Sequence, residues 1–269
     1  MCSSDLSDIG IANAVDWAEA WSQQRAHAIR FDGVKDGWIR KVSSFVSPSA
    51  PQTGAGAGAH LQNGGILVAS SKRVTVTGCD MRLAQNRGGG GCGYLFEIMQ
   101  SCEVLTRDCI GVAGRHNFIQ NWGFGTTGCV WLRCHTDGGV AVVSSLLPGI
   151  GGTGYSEYHH SLATADLVDS CTVNDGWSAV NRKDWSSGAG HTATQCVFWN
   201  TTGTGVLRSA QFGWGYIIGT EGVKVNTTLS PNDKSGADPP DWQELIDRGA
   251  LLHPRSLYEA QRILRTGKK

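Results

Sequence analysis

Short alternations of apolar and polar residues recur along this chain, and each stands just before a small residue. Residues 74–76 read Val-Thr-Val and are followed by Thr77, Gly78 and Cys79. Alternation with a period of two is typical of β-strands, and a two-residue corner lets the chain turn while its small apolar residues stay inside. Related segments precede four further cysteines, so that the pattern can be aligned on Cys79, Cys109, Cys134, Cys171 and Cys196. The pattern predicts repeated strand, corner and strand units.

The spacing of these units predicts the fold. The five cysteines are 30, 25, 37 and 25 residues apart, a repeat length that fits the coils of a right-handed parallel β-helix with loops of varied size. Residues 38–42 and 216–218 supply an earlier and a later strand of the same kind. We therefore predict an all-β solenoid over residues 32–225. The cysteines are expected to be reduced, inward-pointing core residues rather than disulfides or metal ligands.

The two ends of the chain differ from the repeats. Residues 1–31 form a separate N-terminal segment without the basic and apolar regions of a signal peptide. Because residues 2–6 match a translated sequencing adaptor, we take as a hypothesis that this is a metagenomic fragment truncated at its 5′ end. Residues 1–10 are then expected to be unpacked, whereas residues 11–25 have the composition of a short helix.

A strap and a short helix are predicted over residues 226–269. Ser256 and Glu259 have capping-box spacing, and apolar residues follow at helical intervals at Leu257, Ala260, Ile263 and Leu264. A β-helix exposes unpaired strand edges at its open end. We expect this segment to be a C-terminal helical cap over that end.

Composition narrows the class of partner. Glycine accounts for 37 of the 269 residues, which favours turns over long helices, and the 23 basic residues balance the 23 acidic ones. A neutral chain without a basic run lacks the electrostatic footprint of a nucleic-acid-binding protein. Its apolar stretches fall far short of the ~18 residues of a membrane span. We expect neither nucleic acid nor membrane as a partner.

Polar clusters that precede successive strands are the candidate chemistry. Equivalent positions of neighbouring coils stack about 4.8 Å apart, so histidines and arginines from different repeats are expected to meet on one face. Histidine is suited to proton abstraction and arginine to binding a carboxylate. The candidate catalytic residues are His116, His160, His191, Arg115 and Arg182. The candidate substrate-binding residues are Asn117, His159 and Asn181, together with Trp122, Trp185 and Trp214, whose rings suit stacking on sugars.

The motifs around these residues resemble a bacterial group of pectate-lyase-like right-handed parallel β-helix proteins that are largely uncharacterised. The resemblance covers roughly residues 66–266 and lies in the order of five strings: Arg-His-x-Phe at 115–118, His-His-x-x-Ala-Thr at 159–164, Asn-Arg at 181–182, Gly-His at 190–191 and Phe-Trp-Asn at 198–200. It implies the fold, whereas the activity stays open because β-helices host lyases, hydrolases, epimerases and adhesins. The chain lacks the aspartate cluster of polygalacturonases and the calcium-binding aspartates of the best-known pectate lyases.

Chemistry favours an enzyme of the lyase class. β-Elimination from a uronic acid needs a base for the C5 proton, a cation on the carboxylate and an acid for the leaving oxygen, and clustered histidine and arginine match this need. We therefore expect a secreted or cell-surface carbohydrate-active protein, a polysaccharide lyase acting on an acidic glycan.

Three alternatives remain at this point. A glycoside hydrolase or epimerase on the same fold would draw its carboxylates from Asp166, Asp169, Asp175 and Asp184. A tailspike-like adhesin would bind glycan without catalysis. In the third alternative His116, His160 and His191 hold a divalent metal, since imidazoles suit transition metals. We assign no metal ligand in the favoured interpretation, and the cofactor stays unknown.

Overall fold

The computed structural model describes residues 5–147, 151–230 and 233–267. Strands make up 43% of the chain and helices 8%, so the protein is all-β, as the alternating pattern predicts. The strands are β1 (Asp5–Ile11), β2 (His27–Asp32), β3 (Lys35–Ser44), β4 (Gly64–Ala69), β5 (Lys72–Thr77), β6 (Asp80–Arg82), β7 (Tyr94–Met99), β8 (Leu105–Arg107), β9 (Ile110–Val112), β10 (His116–Gln120), β11 (Val130–Leu132), β12 (His135–Asp137), β13 (Ser156–Tyr158), β14 (Ala163–Thr164), β15 (Leu167–Asp169), β16 (Thr172–Val173), β17 (Gly176–Ala179), β18 (Ala193–Thr194), β19 (Val197–Thr202), β20 (Val206–Ser209), β21 (Tyr216–Glu221), β22 (Lys224–Asn226), β23 (Thr228–Ser230), β24 (Asp233–Gly236) and β25 (Trp242–Glu244). The helical segments are α1 (Trp17–Ala20), α2 (Trp185–Gly188), a 3-10 turn at Gly249–Leu251, and α3 (Leu257–Thr266).

Two long parallel sheets hold most of these strands. The eight-stranded sheet runs in the order β2, β4, β7, β10, β13, β17, β20, β22. The thirteen-stranded sheet consists of β1, β3, β5, β6, β8, β9, β11, β12, β15, β16, β19, β21 and β25, and in it the long β3 and β19 each pair with two successive strands on one side. The short strands β14 and β18 pair with each other in a separate two-stranded sheet. From β2 to β22 the chain therefore passes from one sheet to the other and back. Each time the chain comes back to the eight-stranded sheet, its new strand pairs in parallel with the strand of the preceding repeat.

Left-handed residues form the corners within the thirteen-stranded sheet. One column of paired corner positions consists of Asp8, Lys41, Gly78, Asp108, Arg133, Ser170, Asn200 and Gly219, with φ between 51° and 70°. We call this set the first corner column. The residues that directly follow members of this column in the chain include Val42, Cys79, Cys109, Cys134 and Cys171, and all five are buried. The two-residue corner predicted from the sequence is thus one left-handed residue followed by one small core residue.

Cys196 does not belong to that column, and the alignment on five cysteines is wrong at this point. It precedes Val197, which pairs with Leu167, so Cys196 is level with Asp166 and Cys129 at the other end of the strand. The position equivalent to Cys171 is Thr201. Both kinds of corner carry a polar left-handed residue before a small buried one, so that their local sequences look alike. All five aligned cysteines are nevertheless buried free thiols of the main core, as predicted.

Aromatic rings fill the interior behind the eight-stranded sheet. Phe96 stacks on Phe118 with ring centroids 4.9 Å apart, and Phe118 stacks on Trp177 at 5.8 Å. Each ring comes from a different strand of the sheet, and all three are buried. Burial of each such side chain contributes about 1.5–3 kcal/mol, which ties the register of β7, β10 and β17 to the core.

The N-terminal segment is more ordered than the sequence predicts. Residues 5–11 form β1, which pairs in parallel with β3, so the expectation of an unpacked segment is wrong for residues 5–10, and residues 1–4 lie outside the described part. The helix expected over residues 11–25 is only α1. With β2 in the eight-stranded sheet and β25 pairing with β21, the sheets extend on both sides of the predicted range 32–225.

The C-terminal helix forms where predicted but lies elsewhere. Ser256 is the N-cap of α3, and its hydroxyl accepts a hydrogen bond from the Glu259 amide. The carbonyl of Arg255 accepts hydrogen bonds from Ser170 and Asn200 in the first corner column. The helix therefore packs against the side of the thirteen-stranded sheet, held by polar contacts, rather than over an open end. Within the described ranges no helix is long and apolar enough to cross a bilayer.

Candidate functional site

Two adjacent cavities open beside the eight-stranded sheet, and Arg115 lines both. The first, of about 450 Å³, is lined by residues of or next to four neighbouring strands: Arg115 before β10, Glu157 in β13, Arg182 after β17 and Arg208 in β20. The second, of about 650 Å³, brings together three arginines, Arg25, Arg30 and Arg115. The guanidinium of Arg115 donates to the Gly88 carbonyl at 2.6 Å. We call the two cavities together the groove.

A buried cluster of His116, Glu157, His159 and Arg182 forms the wall between the two cavities. His116 Nε2 lies 3.3 Å from Glu157 Oε1, and His159 Nδ1 contacts the same carboxylate oxygen. Arg182 Nη1 lies 2.5 Å from His159 Nδ1 and 3.7 Å from Glu157 Oε1. Glu157 and His159 are two residues apart in the chain, which places their side chains on the same face of an extended segment.

The environment sets the protonation of this cluster. Burial lowers the pKa of His116 to about 3, so that its imidazole is neutral at pH 7. His116 Nδ1 lies 2.5 Å from the Tyr155 carbonyl oxygen. Since a carbonyl only accepts, Nδ1 carries the proton of the neutral ring. Burial opposes the charge on Glu157, but the facing histidines and Arg182 hold its pKa below the usual range.

His160 occupies the second cavity with an aromatic partner. Its ring stacks on Trp122 with centroids 4.2 Å apart, and burial lowers the pKa of His160 below the usual value. Trp122 is 48% exposed, leaving one part of its ring available to a ligand. Tyr94 lines the same cavity, and burial raises the pKa of its phenol, so that it retains its proton.

A second buried carboxylate, Glu97, lies on β7 in contact with Arg25, which lines this cavity. Glu97 accepts hydrogen bonds from Arg25 and Asn121, each at 2.9 Å, and its other oxygen lies 2.7 Å from His27 Nε2. Burial opposes its ionisation, but the contacts with His27 and Arg25 hold the pKa of Glu97 below the usual range. The N-terminal segment thus brings Arg25 to the groove through an ion pair with the sheet.

The structure brings together only part of the predicted site. Arg115, His116, Arg182 and Asn181 line the first cavity with Trp185, and His159, His160 and Trp122 line the second. His191 lines neither, because its ring packs on Phe212 at 4.8 Å and its Nε2 contacts the Asn181 amide at 3.1 Å. Asn117 and Trp214 are also outside the lining. Asn117 is fully buried, with its amide donating to Thr136 and Asp175.

Sequence reasoning missed Glu157 and Arg25 as groove residues, and it did not include Arg208 among the candidate site residues. A usable signal for Glu157 was present, since glutamate is rare in this chain and Glu157 stands two positions before His159. No local signal marks Arg25, whose position depends on the fold of the N-terminal segment. Arg208, in β20, lies over the Tyr155 ring, 5.8 Å from its centroid.

The four aspartates considered for a hydrolase have other roles. Asp166 is buried in the core, and Asp169 accepts hydrogen bonds from Ser256 and the Tyr258 amide of α3. Asp175 accepts from Gly139 and Gly176, and the exposed Asp184 precedes α2. Among the described residues that line the two cavities, Glu157 is the only one with a carboxylate side chain.

Comparisons with protein-family models, with curated proteins and with solved structures found no match to this chain.

Proposed function

We propose that this chain is a right-handed parallel β-helix of the pectate-lyase-like kind, whose groove binds an acidic polysaccharide outside the cell and cleaves it by β-elimination. The regular alternation of the chain between two parallel sheets supports the fold. The observation that carries the function is the convergence of arginines on a groove that also holds neutral imidazoles. A glycan carboxylate is the ligand that this charge favours, because the planar guanidinium binds it through two hydrogen bonds.

The second cavity holds the groups that elimination requires. In our proposal His160 takes the C5 proton of a uronate whose carboxylate is held by Arg115, and Trp122 stacks on a neighbouring sugar. The electron pair of the C5–H bond forms the C4–C5 double bond while the C4–O4 bond breaks. The leaving oxygen takes a proton from Tyr94, whose phenol is protonated before the reaction because burial raises its pKa. No carboxylate pair is needed, in contrast to glycoside hydrolysis.

The test is an activity screen on pectic, alginate and glycosaminoglycan polymers. We expect ultraviolet absorbance from the unsaturated product, and a loss of about 100-fold or more in rate for His160→Ala, the size typical of removing a general base. His135→Ala is the matched control, since His135 lies in β12 of the other sheet. New reducing ends without an unsaturated product would show that the protein is a hydrolase and not a lyase. Tight binding of a polymer without any product would show that it is an adhesin.

A further inference from the structure

The wall between the two cavities contains three possible metal-ligand atoms that face one another. His116 Nε2, Glu157 Oε1 and His159 Nδ1 all lie within 4.8 Å of one another, and the three residues are buried. His116 Nδ1 donates to the Tyr155 carbonyl, which leaves Nε2 as the ring atom that faces the Glu157 carboxylate. That atom is buried and has no hydrogen-bond partner.

The second histidine, His159, is held between an acceptor and a donor. Its Nδ1 contacts the Glu157 carboxylate, which only accepts, and lies 2.5 Å from Arg182 Nη1, which only donates. With a proton, Nδ1 satisfies Glu157 and faces the Arg182 donor; without one, it satisfies Arg182 and faces the carboxylate. A cation placed among His116 Nε2, Glu157 Oε1 and His159 Nδ1 satisfies all three atoms at once, whereas the Arg182 guanidinium touches the group from one side.

From this arrangement we infer that His116, Glu157 and His159 form a binding site for a divalent transition-metal ion of the Zn²⁺ class. Two imidazoles and one carboxylate are a common donor set for such metals, whereas Ca²⁺ and Mg²⁺ prefer oxygen alone. Tetrahedral Zn²⁺ with ligands at about 2.0–2.1 Å holds them about 3.3 Å apart. His116 Nε2 lies 3.3 Å from Glu157 Oε1, whereas His159 Nδ1 is in closer contact with that oxygen and has to move away from it when the metal binds.

The surroundings supply the remaining features of a metal site. Metal-binding histidines commonly donate their other ring N–H to a carbonyl or carboxylate, which fixes the tautomer, and the hydrogen bond from His116 to Tyr155 is of this kind. His116 and Glu157 line the first cavity, which leaves a fourth coordination position open to solvent or to an oxygen of a ligand. This metal site does not depend on the identity of the glycan.

Arg182 is the competitor that the metal has to displace. Its Nη1 lies on the His159 side of the cluster, while its Nη2 donates to Ser186 at 2.8 Å. Metal binding therefore requires the guanidinium to move away from His159 toward the cavity. Replacing Arg182 by a neutral residue is expected to strengthen metal binding, whereas a site that merely needs Arg182 for folding would weaken.

The test is a titration of the chelator-treated full chain with Co²⁺, followed by its visible absorption, and then competition by Zn²⁺. We expect one equivalent of Co²⁺, displaced by Zn²⁺. Glu157→Gln is expected to weaken binding about 100-fold or more. Glu97→Gln is the matched control, because Glu97 is also a buried carboxylate next to a histidine and an arginine, and it is expected to bind Co²⁺ like the unmodified chain.

Arg182→Met gives a second readout that does not depend on removing a ligand, and we expect it to bind Co²⁺ about tenfold more tightly. The inference is overturned if the unmodified chain takes up neither Co²⁺ nor Zn²⁺, if Ca²⁺ binds in their place, or if Glu157→Gln and Glu97→Gln lower affinity equally. No glycan is present in the titration. A chain that fails to bind metal would therefore leave the proposed lyase activity unaffected, and the polymer screen tests that activity separately.

Discussion

At the scale of single residues, Asp166 shows how the core changes the chemistry of a carboxyl group. It lies level with Cys129 and Cys196 between the sheets and is fully buried. Its Oδ1 accepts a hydrogen bond from the Cys129 amide at 2.7 Å, and its Oδ2 has no partner. Burial raises the pKa of Asp166 to about 8, so the carboxyl is mostly protonated at pH 7.

This shift predicts the direction of a pH effect on stability. The unfolded chain releases the Asp166 proton near pH 4, whereas the folded chain keeps it to about pH 8. Stability is therefore lost as pH rises through this window, by at most about 1.4 kcal/mol per pH unit. We expect Asp166→Asn to flatten that decline in urea unfolding measured at several pH values. Asp184→Asn, at an exposed position, is the control, and equal slopes for Asp166→Asn and the unmodified chain would contradict the prediction.

At the scale of elements, the left-handed corners decide where strands end. Gly78 has φ of 62°, and a Cβ there would meet nothing closer than Lys41 Cγ at 3.7 Å. The cost of Gly78→Ala is therefore conformational, and we expect a loss of about 1 kcal/mol in unfolding free energy. Gly89→Ala is the matched control, since Gly89 has open space around it and no left-handed backbone. A similar small effect for both substitutions would show that the corner tolerates a side chain.

The docking of α3 depends on one carboxylate of β15. Asp169 Oδ2 accepts hydrogen bonds from the Ser256 hydroxyl at 2.8 Å and the Tyr258 amide at 2.7 Å. Its removal leaves two half-buried donors without their acceptor, at a cost of about 1 kcal/mol or more. We expect Asp169→Ala to raise the rate of tryptic cleavage at Arg262 about tenfold. The exposed Glu244→Ala is the control, and unchanged protection in Asp169→Ala would assign the docking to other contacts.

At the scale of the whole molecule, positive charge is concentrated at the groove although the chain is neutral overall. The chain as a whole carries no net charge, yet arginines from distant parts of the sequence surround the groove. Attraction between exposed charges is screened over about 10 Å at 0.1 M salt. We expect the affinity for an acidic glycan to fall about tenfold or more between low salt and 0.5 M salt, measured by calorimetry. A neutral glucan is the control ligand, and salt-independent binding of the acidic glycan would argue against the arginines as its contacts.

Much of the architecture follows from local sequence. Period-two alternation, polar corners and small core residues repeat within a few positions, and these features predict an all-β chain with parallel sheets. The Ser256 and Glu259 spacing likewise predicts α3, because capping acts over a single turn. The clusters at Arg115–His116 and His159–His160 were visible for the same reason.

Tertiary structure alone decided the register between repeats and therefore the composition of the site. Connections of different length separate the repeats, and the two kinds of corner resemble each other, so that Cys196 could be assigned to the wrong column. Glu157 and Arg182 meet only because β13 and β17 are neighbours in the eight-stranded sheet, and Arg25 reaches the groove through the buried Glu97. Such contacts depend on the sum of all intervening loop lengths, a quantity that no local pattern encodes.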